Sequence, residues 1–242
     1  VRQAIALAID RKAIMEIDLK GLGWPIVTLD HHFLMNSQYG YRSNAGAHGA
    51  YDPKRAARLL DEAGWTGRDA EGYRTKDGRR LTVRSVASAP FVRDRRDILA
   101  QAIQAQVKQN AGIDFQVKIV DQGTAQQATD DNEYEVFENS RGDSDAGAAL
   151  NLILAKEAPI NRTRFTDPKI DKWLAEASAT SDQAKRKELY TKVQRAVVTE
   201  HAIVFPIYVP ADQIAARSGV HGLGFDPGSG TPKSAYEVRT GT

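Results

Sequence analysis

Apolar residues recur at helical spacing in several parts of the chain, most clearly over residues 51–65, YDPKRAARLLDEAGW. Four of them fall at positions i, i+3, i+4 and i+7 of one helical face: Ala56, Leu59, Leu60 and Ala63. Asp52 is placed to cap the first backbone amides, and Pro53 suits the first helical position because the N–H that it lacks would have no partner there. The pattern predicts an amphipathic helix that packs on a core.

The same spacing predicts further helices. The first of them lies at the start of the sequence, VRQAIALAIDRK, where no capping residue precedes the apolar stripe. Asp10 is placed to cap a short second helix. Residues 91–112 carry another stripe, residues 166–179 repeat the Asp-Pro start at Asp167 and Pro168, and residues 181–200 carry the last stripe. Residues 24–50 have no regular spacing, which predicts a long connection.

Runs of β-branched and apolar residues predict strands between these helices. LTVRSVAS, residues 81–88, and IDFQVKIVD, residues 113–121, flank one helix of crossover length, which is the pattern of a βαβ unit with parallel strands. YEVFENS, residues 134–140, predicts a third strand. AIVFPIYVP, residues 202–210, predicts a buried strand at an edge or a bend, because Pro206 cannot donate to a ladder. The pattern therefore predicts an α/β fold.

Composition narrows the classes of function. The chain of 242 residues carries a net charge of +2 without a strongly basic block, which disfavours binding to nucleic acid through its phosphates. It contains no cysteine, which excludes disulfides and thiolate metal sites in this segment. No apolar run approaches the roughly 20 residues that cross a bilayer.

The residue types that support catalysis lack the necessary spacing. The five histidines form no HExxH or comparable ligand pattern, and a GxSxG nucleophile turn is absent. GLGW and GLGF lack the strand and helix that flank a dinucleotide-binding loop. The sequence therefore predicts no enzyme activity, no metal and no cofactor.

One polar cluster, NSRGDSDAG at residues 139–147, follows the predicted third strand. Arg141, Asp143 and Asp145 would present a cation and carboxylates from a strand-end loop, which is where α/β folds usually bind polar ligands. The alternative is a solvated turn, since Asp, Ser and Gly are common in turns.

Several motifs occur along the chain in an order that is also found in a known family of proteins. They are VRQAIALAIDRKAI, YDPKRAARLLDEAGW, KDGRRLTV, QAQVKQNAGI, FTDPKIDKWLAEA, AKRKELYTKVQ and PIYVP. This set closely resembles the extracellular solute-binding proteins of peptide and nickel ABC importers, known as family 5. The resemblance implies a periplasmic-binding-protein type II fold of the large class with an extra domain. It also implies that residues 1–210 form a C-terminal ligand-binding lobe with βαβ units and flanking helices, and that residues 211–242 return to a missing N-terminal lobe of the same chain.

The resemblance also implies a ligand site. In peptide-binding relatives the segment after the strand matching YEVF carries Gly, Trp, an Asp and then Asp-Pro, and an acid there meets the amino group of the ligand. The corresponding candidates for ligand binding here are Ser140, Arg141, Asp143 and Asp145. Either Asp143 or Asp145 inherits the acidic role, but Arg141 stands near the usual Trp and no Pro follows Asp145, so peptide specificity stays open. Tyr208, near the hinge strand, is a further candidate.

The function implied is the substrate-binding component of an ABC importer, located in the periplasm or otherwise outside the cytoplasm. It would capture a small polar solute, peptide-like above all, between two lobes and deliver it to an inner-membrane permease. Two alternatives remain at this stage: a ligand-sensing domain of a transcription regulator, and an α/β enzyme whose site the motifs do not reveal.

Overall fold

Helices and short strands alternate along the chain in the computed structural model, which describes residues 1–32, 34, 36, 41–44, 46, 49–88, 96–138, 146–208, 217–222 and 239–240. The helices are α1 (Arg2–Ala8), α2 (Arg11–Leu19), α3 (Pro53–Glu62), α4 (Arg96–Ala111), α5 (Gln122–Asp130), α6 (Ala146–Leu154), α7 (Pro168–Ala179) and α8 (Gln183–Gln194), which a π-helical turn (Arg195–Glu200) continues. The strands are β1 (Gly67–Arg68), β2 (Arg74–Lys76), β3 (Arg79–Arg80), β4 (Thr82–Ser88), β5 (Asp114–Val120), β6 (Val136–Glu138), β7 (Val220–His221) and β8 (Arg239–Thr240).

The centre of the fold is a parallel sheet in the order β5-β4-β6. Strand β4 pairs with β5 from Thr82↔Asp114 to Ser88↔Val120, and it pairs with β6 through Ala87↔Glu138. Helix α4 connects the first pair and α5 connects β5 to β6. The predicted βαβ unit and the predicted third strand are both confirmed.

Side chains of alternate strand residues enter different clusters of the core, because neighbouring residues on a strand point to opposite faces. Val83 and Phe115 join the cluster that contains residues of α1, α3 and α4. Val86 joins Ala125 and Ala128 of α5 in another cluster. The sheet is therefore covered on both faces, as parallel sheets usually are.

A separate apolar cluster holds the last helices together. Its buried members come from α6, α7, α8 and the π-helical turn: Leu150, Leu154, Ile170, Leu174, Val193, Ala196, Val197 and Val198. Trp173 packs against this cluster, as its position on the apolar stripe of α7 indicates.

The helix starts predicted from Asp residues are confirmed. The carboxylate of Asp52 accepts a hydrogen bond from the N–H of Arg55 at 2.9 Å, and that of Asp10 accepts from Lys12 and Ala13. Asp167 caps α7 in the same way, with Pro168 at its first position. Gly64 has a φ of +85°, and the N–H of Trp65 donates to the carbonyl of Leu60. The chain therefore turns back at the end of α3 as its Gly-Trp sequence predicts.

A small antiparallel sheet, β1-β2-β3, packs beside α3 and α4 through the buried side chain of Arg74. Its guanidinium donates to the carbonyls of Ala111 at 3.1 Å and Trp65 at 2.6 Å. It also donates to the carboxylate of Asp61 at 2.5 Å and to the carbonyl of Ala57 at 3.3 Å. Arg74 thus joins the ends of two helices to the small sheet.

The strand predicted over residues 202–210 is wrong for its described part, residues 202–208. This part makes one isolated antiparallel bridge, between Tyr208 and Thr28, rather than a ladder. The physical reason is Pro206, which has no N–H to donate and interrupts strand pairing. The sequence pattern also missed α5 and α6, as well as the small sheet that contains Arg74.

Candidate functional site

The carboxyl ends of β4 and β6 lie side by side, because the two strands are parallel neighbours in the sheet. Ala87 near the end of β4 is the register partner of Glu138 at the end of β6. The described parts of β4 and β6 therefore end at the same carboxyl edge of the sheet. Open α/β sheets bind ligands at this edge.

Four of the predicted ligand-binding residues, Ser140, Arg141, Asp143 and Asp145, lie outside the described residues. They belong to the segment that connects the end of β6 to the start of α6 at Ala146.

A carboxylate outside the predicted set of site residues, that of Glu138, lies at the carboxyl edge. The hydroxyl of Ser85 on β4 donates to Oε1 of Glu138 on β6 at 3.0 Å. Ser85 is fully buried and Glu138 is half-buried. The signal in the sequence was a charged residue directly after two apolar strand residues, Val136 and Phe137, at the point where the strand ends.

Aromatic and cationic groups occupy the other face of β6. The guanidinium of Arg162 lies over the ring of Phe137, 4.5 Å from its centroid, and the ring of Tyr134 lies 5.4 Å from that of Phe137. The Tyr134 hydroxyl donates to the carbonyl of Arg162 at 2.8 Å, and burial raises the pKa of this hydroxyl above its ordinary value. Both faces of β6 therefore carry polar groups close to the carboxyl edge.

Tyr208, the fifth predicted site residue, lies where two distant segments meet. We call residues 28–30 and 206–208 the crossing. The N–H of Leu29 donates to the carbonyl of Ile207 at 3.0 Å, beside the bridge between Thr28 and Tyr208. The Tyr208 hydroxyl donates to Oδ2 of Asp18 on α2 at 2.5 Å. The structure thus gives Tyr208 a role in joining the crossing to α2.

Arg11 stabilises the crossing through hydrogen bonds from its guanidinium to both segments. Its guanidinium donates to the carbonyl of Leu29 and to the carboxylate of Asp30, both at 2.7 Å. It also donates to the carbonyl of Pro206 at 3.3 Å and to that of Gly49 at 2.5 Å. The side chain of Arg11 is 7% exposed, so these contacts satisfy a buried cation.

His31 follows the crossing and is buried, with 4% of its surface exposed. Its Nδ1 accepts a hydrogen bond from the N–H of Leu34 at 3.1 Å, and its ring lies 5.9 Å from that of Tyr41. Burial, and to a lesser extent the neighbouring His32, lowers the pKa of His31 to about 4. The imidazole is therefore neutral at physiological pH.

This pKa predicts a loss of stability on acidification. Between pH 6.5 and about pH 4 the unfolded chain binds a proton at His31 that the folded chain does not, so the free energy of unfolding falls as the pH falls through this window. The shift corresponds to about 3 kcal/mol at most. We expect His31→Asn, whose side-chain oxygen can accept from Leu34, to flatten the slope in urea titrations at pH 4 to 7. Replacement of the exposed His221 by Asn serves as the control, and an equal slope in wild type and His31→Asn would contradict the prediction.

The described part of the chain holds neither a group of metal ligands nor a membrane-spanning helix. No three His, Asp or Glu side chains within it come together as ligands for a metal ion. None of its helices combines the length and the apolar character needed to cross a bilayer.

Known proteins share this fold. NikA from Brucella suis, solved in complex with Fe(III)-EDTA, has a TM-score of 0.77 at 23% identity, covering 99% of this chain and 47% of that one. AppA from Bacillus subtilis, solved in complex with a nonapeptide, has a TM-score of 0.68 at 18% identity, covering 95% of this chain and 45% of that one. The fold is that of the type II periplasmic binding proteins.

Sequence comparison gives the family. The oligopeptide-binding protein OppA of Mycobacterium tuberculosis is 28% identical over 230 residues, which are 93% of this chain and 37% of that protein. OppA of Lactococcus lactis is 27% identical over 95% of this chain and 38% of that protein. The chain thus spans less than half the length of these relatives. The model of the bacterial extracellular solute-binding proteins, family 5 Middle, matches residues 1–158. On that match, the chain belongs to the family 5 bacterial extracellular solute-binding proteins.

Proposed function

We propose that this chain is the C-terminal lobe of the substrate-binding component of an ABC importer. It captures a small polar solute, with peptide-like solutes favoured, between itself and an N-terminal lobe, and delivers the solute to a permease in the inner membrane. The observation that carries the proposal is the carboxyl edge of the parallel sheet, where the strands β4 and β6 end together; the polar segment 139–145 follows β6 in the sequence. Family membership supports the same function, because the family consists of solute-binding proteins.

Binding of solute follows from the two-lobe arrangement. Ligand contacts both lobes only when they are closed, so it binds the closed form more tightly and shifts the population towards it. In this proposal Arg141, Asp143 and Asp145 supply charges from one lobe, and Ser140 supplies a hydroxyl. The protein performs no chemistry on the solute, and it works outside the cytoplasm.

Exposed apolar side chains support the proposal that a second lobe packs against this one. Within residues 22–27, four large apolar side chains are exposed between 38% and 49%: Leu22, Trp24, Ile26 and Val27. This segment leads directly into the crossing at Thr28. Large apolar side chains exposed this close together in the sequence are typical of an interaction site, and we propose that the N-terminal lobe covers them.

The test uses the full-length protein, extended upstream from the gene and purified gently enough to keep a bound solute. Native mass spectrometry is expected to detect a co-purified small molecule, and titration calorimetry with peptide, opine and sugar panels is expected to identify its class. The double substitution Arg141→Ala and Asp143→Ala should weaken binding by roughly two to four powers of ten, since two lost charged hydrogen bonds at about 1.5–3 kcal/mol each together contribute about 3–6 kcal/mol.

The matched control removes one cation and one carboxylate elsewhere. Lys172 and Glu176 form an exposed pair on α7, 3.9 Å apart, and their replacement by Ala should leave affinity unchanged. An apo mass without binding to any panel would contradict the proposed function. Tight binding by the 242-residue chain alone would overturn the two-lobe site.

A further inference from the structure

Arg162 places a partly buried guanidinium close to the carboxyl edge of the sheet. The central carbon of this guanidinium lies over the ring of Phe137, 4.5 Å from the ring centroid. Phe137 is the register partner of Val86 and the second-last residue of β6, so its ring stands one residue before the end of that strand. The guanidinium also meets α5, because it donates to Oε1 of Gln126 at 3.4 Å. A strand and a helix therefore both contact Arg162.

These contacts leave most of the N–H donors of Arg162 unused. Within the described part of the chain its guanidinium makes one hydrogen bond, to Gln126, although a guanidinium carries several donors. The distance of 3.4 Å exceeds the usual range of about 2.7–3.2 Å, so this bond is weak. No carboxylate of the described residues forms an ion pair with Arg162. A guanidinium that stacks on an aromatic ring keeps its N–H edge available, and this edge fits a carboxylate.

The neighbouring Arg164 has a different environment. Its guanidinium donates to the backbone carbonyl of Thr129 at 2.6 Å and to that of Asp130 at 3.4 Å, at the end of α5. Carbonyls at the end of a helix lack partners within the helix, and a cation there interacts favourably with the helix dipole. Arg164 thus has a structural role, and it provides a matched control for Arg162 because both cations belong to the same short segment.

The proposed solute site lies close to Arg162. Strands β4, β5 and β6 are parallel, so their carboxyl ends share one edge of the sheet, which is where open α/β sheets bind ligands. Helix α5 begins at Gln122, two residues after β5 ends at Val120, and Gln126 lies about one turn further on. The guanidinium of Arg162 therefore lies beside this edge, against the end of β6 and the first turns of α5.

We infer that Arg162 is a specificity-determining residue that binds the carboxylate of an acidic side chain in the solute, and that Phe137 positions its guanidinium by stacking. The inference rests on the proposed function and names a class of solute for it: peptide-like molecules that carry an acidic side chain. Such a solute supplies the planar acceptor that the described residues do not offer to Arg162. This contact is separate from those assigned to residues 140–145.

The experiment measures binding of matched tripeptides to the full-length protein by titration calorimetry. Each peptide contains two alanines and either glutamate or glutamine, with the variable residue placed first, second or third. Glutamine has nearly the same shape as glutamate but carries no charge. At one position or more, wild type is expected to bind the glutamate peptide at least about tenfold more tightly than its glutamine partner.

The variants assign this preference to the two residues. Arg162→Gln should reduce the ratio of the two affinities to within about twofold while the affinity for the glutamine peptide stays unchanged. Arg162→Lys should keep part of the preference, because it retains the charge but loses the planar set of donors. Phe137→Leu should also reduce the ratio in part, because the guanidinium loses the ring on which it stacks, and it should leave the affinity for the glutamine peptide unchanged. Arg164→Gln should keep the ratio of the wild type.

Three results overturn the inference by itself. Wild type binds the glutamine peptides but never prefers glutamate, or Arg162→Gln keeps the preference, or Arg162→Gln weakens both peptides of a pair equally. The third result would place Arg162 on the terminal carboxylate of the peptide. Failure of every peptide to bind contradicts peptide capture as well, so failure of the inference and failure of the proposed function are distinguishable. Because Arg162→Lys and Phe137→Leu report on the same ratio, the inference stays testable where one variant does not fold.

Discussion

Replacement of Arg11 by Met is expected to lower the free energy of unfolding by about 3–5 kcal/mol, the usual cost of removing one partner from a buried ion pair. The guanidinium contacts the Asp30 carboxylate and three backbone carbonyls. Met fills most of the volume but donates no hydrogen bond, so these acceptors lose their donor in a site where Arg11 is 7% exposed. Urea unfolding followed by circular dichroism measures the effect.

Two further variants sharpen this prediction. Arg11→Lys keeps the charge but loses the planar guanidinium with its several donors. Its free energy of unfolding should therefore lie between those of wild type and Arg11→Met. Arg84→Met removes an exposed arginine that pairs with Glu135, and it should move the urea midpoint little. A free energy of unfolding for Arg11→Met within about 1 kcal/mol of wild type would show that the buried contacts contribute no net stability.

Replacement of Arg74 by Met is expected to cost about 2–4 kcal/mol, because it strips donors from buried carbonyls at the ends of two helices. The carbonyl of Ala111 ends α4, where a cation also interacts favourably with the helix dipole. Asp61 is 51% exposed and can be solvated by water, so most of the loss comes from the carbonyls of Trp65 and Ala111. Urea titration measures the total loss.

A neighbouring arginine on the same small sheet provides the control. Arg79 on β3 is exposed, and Arg79→Met should leave the urea midpoint nearly unchanged. Hydrogen exchange adds a local measurement, because the N–H of Leu81 donates to the carbonyl of Arg74 at 2.8 Å. Unchanged protection of Leu81 in Arg74→Met, together with an unchanged midpoint, would refute the proposed role of Arg74.

Local signals made much of the fold predictable. The helix α3 is determined by residues close in sequence: an Asp cap, a Pro in the first turn and a Gly with a φ of +85° after the last. The βαβ unit was predictable because two apolar runs flank one amphipathic helix of crossover length. Helices α5 and α6 were missed for opposite reasons. The first has a stripe made only of small residues, Ala125 and Ala128, and the second is apolar almost all round.

The candidate site was less predictable, because it depends on pairing between distant residues. Contact between Ser85 and Glu138 requires the register of β4 against β6, which neither strand specifies alone. Tyr208 was selected from a resemblance, and its bond to Asp18 depends on a bridge between segments 180 positions apart, from Thr28 to Tyr208. Such contacts are set by tertiary structure and leave no periodic signal in the sequence.

The topology of the sheet also favours one order of folding events. All three parallel strands and both helices between them come from one continuous stretch, residues 82–138. Arg11, by contrast, reaches Pro206 across 195 positions of the chain. Closing a longer loop costs more entropy and slows contact formation, so the sheet can form while later residues are still being synthesised. A nascent chain would therefore assemble the edge of its sheet first and close the crossing last.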